Sequence, residues 1–291
     1  LRYVEERLWF PHDVLLVNDW YPVIVTNGTI AFQEILHTAL SYFQLGDNGR
    51  GWRLLQASLQ PFIKARVPGT ISSYGGWEAE QGTYTEFTDT SSMFARTVIE
   101  GLFGIRPQRQ HNLIVIQPNL PTEWPTANLT LRDLSFALQR DDLTERVTVT
   151  MPTPCRLRLR LRARYDIVEG VWANGQPAEW RCEPGIGRPF VVIDLPAETE
   201  HAVQVRYRAM RHALIYPQTV VPGHAFTVAA HDCTLEEVYD PQGLLQEQQP
   251  GSDLTQFVLR QDVRGPHTFF LRATHGNTTC WEPVDVYVRP A

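Results

Sequence analysis

At 291 residues the chain exceeds what one hydrophobic core usually serves, so two or three domains are expected. Apolar residues make up 43% and charged residues 20%, the balance of an ordinary globular protein, and no run approaches the roughly 20 apolar residues of a membrane span. The formal net charge of -6 argues against the concentrated basic surface of a dedicated nucleic-acid binder, so neither nucleic acid nor a membrane is expected as a partner.

Residues 1 to 28 mix aromatics with turn formers and read as an extended or irregular lead-in ending at Asn27-Gly28. From Ile30 the apolar positions Phe32, Ile35, Leu36, Ala39, Leu40 and Phe43 recur at helical spacing behind the candidate cap Thr29, and that helix stops at Gly46. A second helix starts after Asn48, carries Trp52, Leu55, Leu59, Phe62 and Ile63 on one stripe, and ends at Pro68-Gly69. The short connection makes the pair an antiparallel helical hairpin. A third helix follows Asp89, with Met93, Phe94, Thr97, Val98 and Leu102 on its apolar face. Asp89 can cap it, because its carboxylate accepts from the free backbone N–H groups there, or can serve a site directly.

After Pro107 the period changes to two. Strands are expected at 113–117, 129–133, 134–140, 146–151 and 156–164, separated by Pro, Asn and Asp turns. In the last of these Leu157, Leu159 and Leu161 face one way and Arg156, Arg158, Arg160, Arg162 and Arg164 the other. Such an arginine face could grip an acidic sugar or phosphate, or form a solvated, salt-bridged sheet surface. Strands at 171–176, 190–194 and 202–208 close a first all-β domain. A second begins near Ala213, with Asp240-Pro241-Gln242-Gly243 as one of its turns. Frequent Pro and Gly, with no helical crossovers between strands, point to antiparallel sandwiches.

The candidate chemistry lies between the second and third helices. Glu78, Glu80 and Glu86 share a polar loop with Trp77, Tyr74 and Tyr84, just before Asp89. Glycosidic bonds are cleaved by two carboxyl groups, one donating a proton to the leaving oxygen and the other activating water or attacking the sugar. Aromatic faces stack on sugar rings and desolvate a neighbouring carboxylate, so the combination suits a sugar site. The histidines are scattered, without HExxH spacing, and His37 falls within an apolar helix as a core or groove residue. Cys155, Cys182, Cys233 and Cys280 form no CxxC pair, so their spacing supports no metal site, and both paired and free thiols are compatible with it. Asn27, Asn128 and Asn277 each open an N-x-S/T triplet. No cofactor is expected.

The run TDTSSMFARTVIEGLFGIRP followed by LIVIQPNLPTEWPTANLTL, residues 88–107 and 113–131, resembles the end of the catalytic helical domain in the six-hairpin glycosidase superfamily. Segments Asp240 to Gly243, His267 to Phe269 and Trp281 to Asp285 extend the likeness to a glycosidase-like group of bacterial polysaccharide-degrading proteins. The resemblance implies a multidomain α+β chain. Residues 1–106 would be the last helices of a partial (α/α)6 toroid, followed by antiparallel β-sandwich domains at 107–209 and 210–291. It implies a carbohydrate substrate, hydrolysis by paired carboxylates and an extracellular or periplasmic setting. With no methionine at Leu1 and few helices, the expectation is a C-terminal part of a longer glycoside hydrolase, inactive without the N-terminal part of the same protein. Glu80 and Glu86 are the expected catalytic carboxylates, with Glu78 and Asp89 behind them. Trp77, Tyr84, Tyr74 and His37 are expected to contact substrate. The alternatives are a related toroidal phosphorylase or lyase, or a non-catalytic carbohydrate-binding protein that stacks sugars on Trp77, Tyr84, Trp9 and Trp20.

Overall fold

The computed structural model of the chain describes residues 7–10, 14–16, 30–64, 72–73, 83–84, 89–249 and 254–289. It divides into two compact units, one of 1–109 with 114–124 and one of 110–113 with 125–291. The expected partial (α/α)6 toroid is overturned: the chain is 53% strand and 20% helical, with three α-helices and several sheets among the described residues. The physical reason lies in the packing of the helices. They bury their apolar faces on one another and on short flanking strands, and alternation of period two governs almost everything after Gly104.

In the first unit α1 (Phe32–Leu45) is followed by α2 (Asn48–Lys64), and α3 (Asp89–Arg96) continues into a π-helical stretch, Thr97–Leu102. Buried Phe32, Ile35, Ala39 and Tyr42 of α1 pack with Leu54 of α2, Leu15 and Ile30. The α1 helix ends at Gly46, whose N–H donates to the Phe43 carbonyl, while the Asp47 N–H donates to that of Tyr42. On α2 the buried stripe is Leu54, Leu55 and Ser58, so Leu55 lies inside as expected. Trp52 is half-buried instead, its ring edge-on to Trp124 at 4.9 Å. Thr97 Oγ1 donates to the Leu36 carbonyl at 3.0 Å and ties the π-helical stretch to α1.

The resemblance-bearing segment after that stretch forms a closed backbone lock. Gly104 takes φ of +65°, the Gln117 N–H donates to its carbonyl at 3.0 Å, and the Asn119 N–H donates to the Leu102 carbonyl at 2.9 Å. The Asn119 side-chain amide adds a bond to the Gly101 carbonyl at 2.8 Å. This part of the motif is therefore occupied with structure.

The second unit is organised around two 19-residue antiparallel strands, Thr144–Arg162 and Phe190–Arg208. Four separate strands are expected there, but Pro152, Pro154 and Pro196 lie where the register slips between Leu195 and Glu200. The ladder bulges at these residues and the strands continue beyond them. Burial alternates through Val147, Val149 and Met151 and resumes at Leu157, Leu159 and Leu161. Ser135–Arg140 pairs with the first half of Thr144–Arg162, and Thr126–Thr130 lies outside it. Ile167–Ala173 pairs with the second half of Phe190–Arg208 and Arg181–Glu183 with the first.

The arginine face takes the salt-bridged form. Arg158 reaches Asp194 at 2.6 Å, Arg160 reaches Glu183 at 2.8 Å, and Arg181 pairs with both carboxylates. Arg160 and Arg162 also lie over the Phe190 ring, at 4.5 and 4.8 Å from its centroid. Burial alone would raise the Asp194 carboxyl, but hydrogen bonds from Arg158 and Arg181 hold it below the usual carboxylate range.

From Ala213 onward two four-stranded sheets share one core. One contains Ala213–Ile215, Ala225–His231, Leu254–Leu259 and Leu245–Gln249; the other contains Thr219–Val220, Thr278–Val288, Gly265–His275 and Thr234–Tyr239. Phe226 and Phe257 from the first sheet meet Phe269, Leu271, Val284 and Val286 from the second. The Phe257 and Phe269 centroids are 5.0 Å apart. At the Asp240 turn the carboxylate accepts from the Gln242 and Leu245 N–H groups, which fixes the chain reversal.

Candidate functional site

Of the residues expected to form a sugar site, Tyr74, Trp77, Glu78, Glu80 and Glu86 lie outside the described residues. Tyr84 belongs to the two-residue strand Thr83–Tyr84, which pairs with Ser72–Ser73. Asp89 is the first residue of α3 and is exposed in the helix's first turn, where its charge suits the N-terminal dipole. His37 corrects the expectation of a core or groove residue. It is exposed on the outer side of α1, and its carbonyl accepts from Ser41 Oγ at 3.0 Å. Its sequence neighbours are apolar, but one position in each helical turn still faces water.

Two places in the second unit bring functional side chains together. The first is an open sheet face. Register places Trp172 opposite Gln204, Gln204 opposite Arg146, and Arg146 opposite Gln139, a row that crosses four strands on one side of the sheet. The tip of the Trp172 indole reaches over Gly170, where a Cβ would come to 2.5 Å from Cη2, so glycine leaves room for the ring. Beside it the chain turns at Asn174 and Gly175, both with positive φ. Asn174 holds the turn against the neighbouring strand, its Oδ1 accepting from the Ala202 N–H at 2.8 Å and its Nδ2 donating to Glu198 at 2.7 Å. The resulting groove has a volume of about 360 Å³ and is lined by Arg146, Thr148, Trp172, Gly175, Ala202 and Gln204, among others. Arg146 is steadied by Gln204 Oε1 at 3.3 Å and by Asp141 Oδ2 at 3.1 Å.

An apolar plane flanked by an amide, a hydroxyl and a guanidinium can stack on a ring and hydrogen-bond its substituents. The sequence signal was available in the Gly-x-Trp-x-Asn-Gly pattern of residues 170–175, a period-two strand ending in a tight turn, but only strand register shows which residues share the Trp172 face.

The second place is a buried polar cluster. Asp166 follows the Thr144–Arg162 strand, His212 precedes Ala213–Ile215, and Cys280 and Glu282 lie two apart on Thr278–Val288. His212 Nδ1 is 2.9 Å from Asp166 Oδ2, and Nε2 is 3.1 Å from Glu282 Oε1 and 3.8 Å from Cys280 Sγ. The His212 backbone N–H also donates to Asp166. The bond to Asp166, with further bonds to Cys280 and Glu282, pushes the imidazole pKa up to about 12, whereas burial pushes the Cys280 thiol up to about 11. An adjoining cavity of about 230 Å³ is lined by Arg164, Asp166, Arg188, Arg211, His212 and Glu282, among others.

The surroundings of this cluster are well tied. Asn277 bonds both the N–H and the carbonyl of Val168, so the amide of that glycosylation triplet is already engaged. Thr278 Oγ1 donates to the Asp166 carbonyl at 2.6 Å. All four cysteines are free thiols, and Cys280 is buried. Sequence spacing could not reveal the cluster, because its members stand 46 and 70 residues apart along the chain.

No protein-family model matches the chain, and no curated protein matches it in sequence. Among solved structures, it is similar to an alpha-L-rhamnosidase from Dictyoglumus thermophilum, with a TM-score of 0.36 and 11% identity over 47% of this chain and 16% of that one. A Streptomyces avermitilis alpha-L-rhamnosidase gives a TM-score of 0.32 and 17% identity over 45% of this chain and 12% of that one. A beta-L-arabinofuranosidase from Geobacillus stearothermophilus T6 gives a TM-score of 0.31 and 10% identity over 99% of this chain and 55% of that one. These neighbours are glycosidases, and the chain spans less than two thirds of each.

Proposed function

We propose that this chain is a glycan-holding part of a glycoside hydrolase that acts on poly- or oligosaccharides, and that the Trp172 face is where it holds them. The observation that carries the reading is the half-buried indole reaching over Gly170 at an open groove, with Arg146, Thr148 and Gln204 around it. Carbohydrate recognition needs this combination, because a sugar ring offers an apolar C–H face rimmed by hydroxyl groups. Arg146, held by Asp141 and Gln204, adds guanidinium N–H donors at the edge of the groove.

In the intact protein the acid and base roles are assigned to Glu80 and Glu86, with Glu78 and Asp89 as neighbouring carboxylates and Trp77, Tyr74 and Tyr84 as stacking partners. This assignment rests on the sequence, which gathers three glutamates and three aromatics within Tyr74 to Glu86. The binding half is tested by affinity electrophoresis of the purified chain through gels containing neutral or acidic polysaccharides. Retardation by at least one polysaccharide that is lost in Trp172→Ala supports the reading. Equal mobility of the two proteins in every gel refutes it.

A further inference from the structure

The His212 cluster has a geometry that its role as a polar contact does not require. His212 Nε2, Cys280 Sγ and Glu282 Oε1 form a triangle with edges of 3.1, 3.8 and 3.3 Å. A zinc ion with ordinary Zn–N, Zn–O and Zn–S bond lengths and tetrahedral angles sets its donors about 3.3 to 3.6 Å apart. Each observed edge is within about 0.3 Å of that requirement before any ion is added. Among the described residues this is the one group of three or more His, Cys, Asp or Glu whose ligating atoms converge in this way.

We propose that His212, Cys280 and Glu282 bind a divalent zinc ion, with Asp166 as the residue that orients the histidine. Asp166 Oδ2 accepts from His212 Nδ1 at 2.9 Å, which fixes the tautomer that turns the Nε2 lone pair toward the other two donors. A second restraint comes from the His212 backbone N–H, which donates to the same carboxylate oxygen. Cys280 and Glu282 stand at i and i+2 on one strand, so the pleat presents both on the same face. With the thiol ionised, Cys280, Glu282 and Asp166 bring three negative charges to an ion of charge two, and Arg188 and Arg211 line the adjoining cavity. On binding, the ion takes the place of protons on Sγ and Nε2, which are released to solvent. Three protein donors leave a fourth position, as in zinc sites that keep a water or an exogenous ligand. Glu282 and His212 also line the cavity of about 230 Å³, which supplies room for that ligand. This inference is independent of the Trp172 face and of the glycan reading.

The test uses the purified chain stripped with a chelator and titrated with Zn²⁺ against a chromophoric competitor, together with Co²⁺ substitution. The expected result is one tightly held Zn²⁺ per chain. The Co²⁺ form should show the strong visible bands of a four-coordinate ion and a thiolate-to-cobalt charge-transfer band. Cys280→Ser should remove the charge-transfer band and Asp166→Asn should weaken Zn²⁺ binding by roughly 10- to 100-fold. If Cys280→Ser does not fold, the Co²⁺ spectrum of the native chain decides alone, since a thiolate band must be present. Absence of stoichiometric Zn²⁺ uptake overturns the proposal and leaves the cluster as an imidazolium held between two carboxylates. So does uptake that persists unchanged in a folded Cys280→Ser protein, or a Co²⁺ spectrum without the thiolate band.

Discussion

Gly104→Ala should be among the most damaging single-methyl additions in the first unit, and its cost can be worked from the backbone. A Cβ at this position would lie 1.7 Å from the Gln117 carbonyl oxygen and 2.4 Å from its carbon. Ordinary contact begins near 3.4 Å, so relief requires the facing backbone to retreat by about 1.7 Å (3.4 less 1.7). That movement breaks the bond from the Gln117 N–H to the Gly104 carbonyl, worth about 1 kcal/mol. The left-handed φ of +65° adds about 1 to 2 kcal/mol for a residue with a Cβ. With the displaced packing of buried Gln117 and Asn119, the total is about 3 to 4 kcal/mol.

Gly175→Ala isolates the conformational part of that cost. Its φ is +78° and nothing lies within 4 Å of the added methyl, so about 1 kcal/mol is expected. Urea unfolding followed by tryptophan fluorescence measures both, and the edge-to-face pair of Trp52 and Trp124 reports on the first unit. If Gly104→Ala lowers the midpoint no more than Gly175→Ala, the backbone lock has slack and the steric reasoning fails.

Two further outcomes follow from the same reasoning. Burial, reinforced by the neighbouring Glu145 carboxylate, raises the Tyr207 phenol well above its ordinary value. Because the unfolded chain ionises this group first, near pH 10, stability contributed by the neutral phenol is intact below that pH and falls above it, by up to about 1.4 kcal/mol per unit; Tyr207→Phe should flatten that alkaline loss in thermal melts, and an unchanged slope would contradict it. On the proposed glycoside hydrolase reading, Glu80→Gln with Glu86→Gln should abolish glycoside turnover while leaving binding at the Trp172 face intact; full rate in the double variant would remove both residues from the acid and base roles.

Much of the local structure was legible in the sequence. The spacing of Phe32, Ile35, Leu36, Ala39 and Leu40 gave the burial of α1, since one face of a 3.6-residue repeat must enter a core. Alternation at Leu157, Leu159 and Leu161 gave the arginine strand and its outward charges. What failed was inference across elements. The strands expected at 146–151, 156–164, 190–194 and 202–208 leave out Pro152, Pro154 and Pro196, yet bulges absorb these prolines, because a missing N–H matters only where the ladder needs that donor. The resemblance in one joint segment implied the last helices of a partial (α/α)6 toroid, which the described residues do not form. That segment instead carries the local lock of Gly104, Gln117 and Asn119. The Trp172 row and the His212 cluster depend on strand register and on residues distant in sequence, which no local pattern encodes. The acidic loop was conspicuous in composition, and Asp89, just after it, is exposed.

The central claim is that the Trp172 face holds glycan, and calorimetric titration of the chain with the best-retained polysaccharide or its oligosaccharides tests it most directly. One indole face covering roughly 70 Å² of a sugar contributes about 1.5 to 2 kcal/mol, so Trp172→Ala should weaken binding by roughly 10- to 30-fold with the thermal midpoint unchanged. Affinity equal in the native chain and in Trp172→Ala would contradict the account.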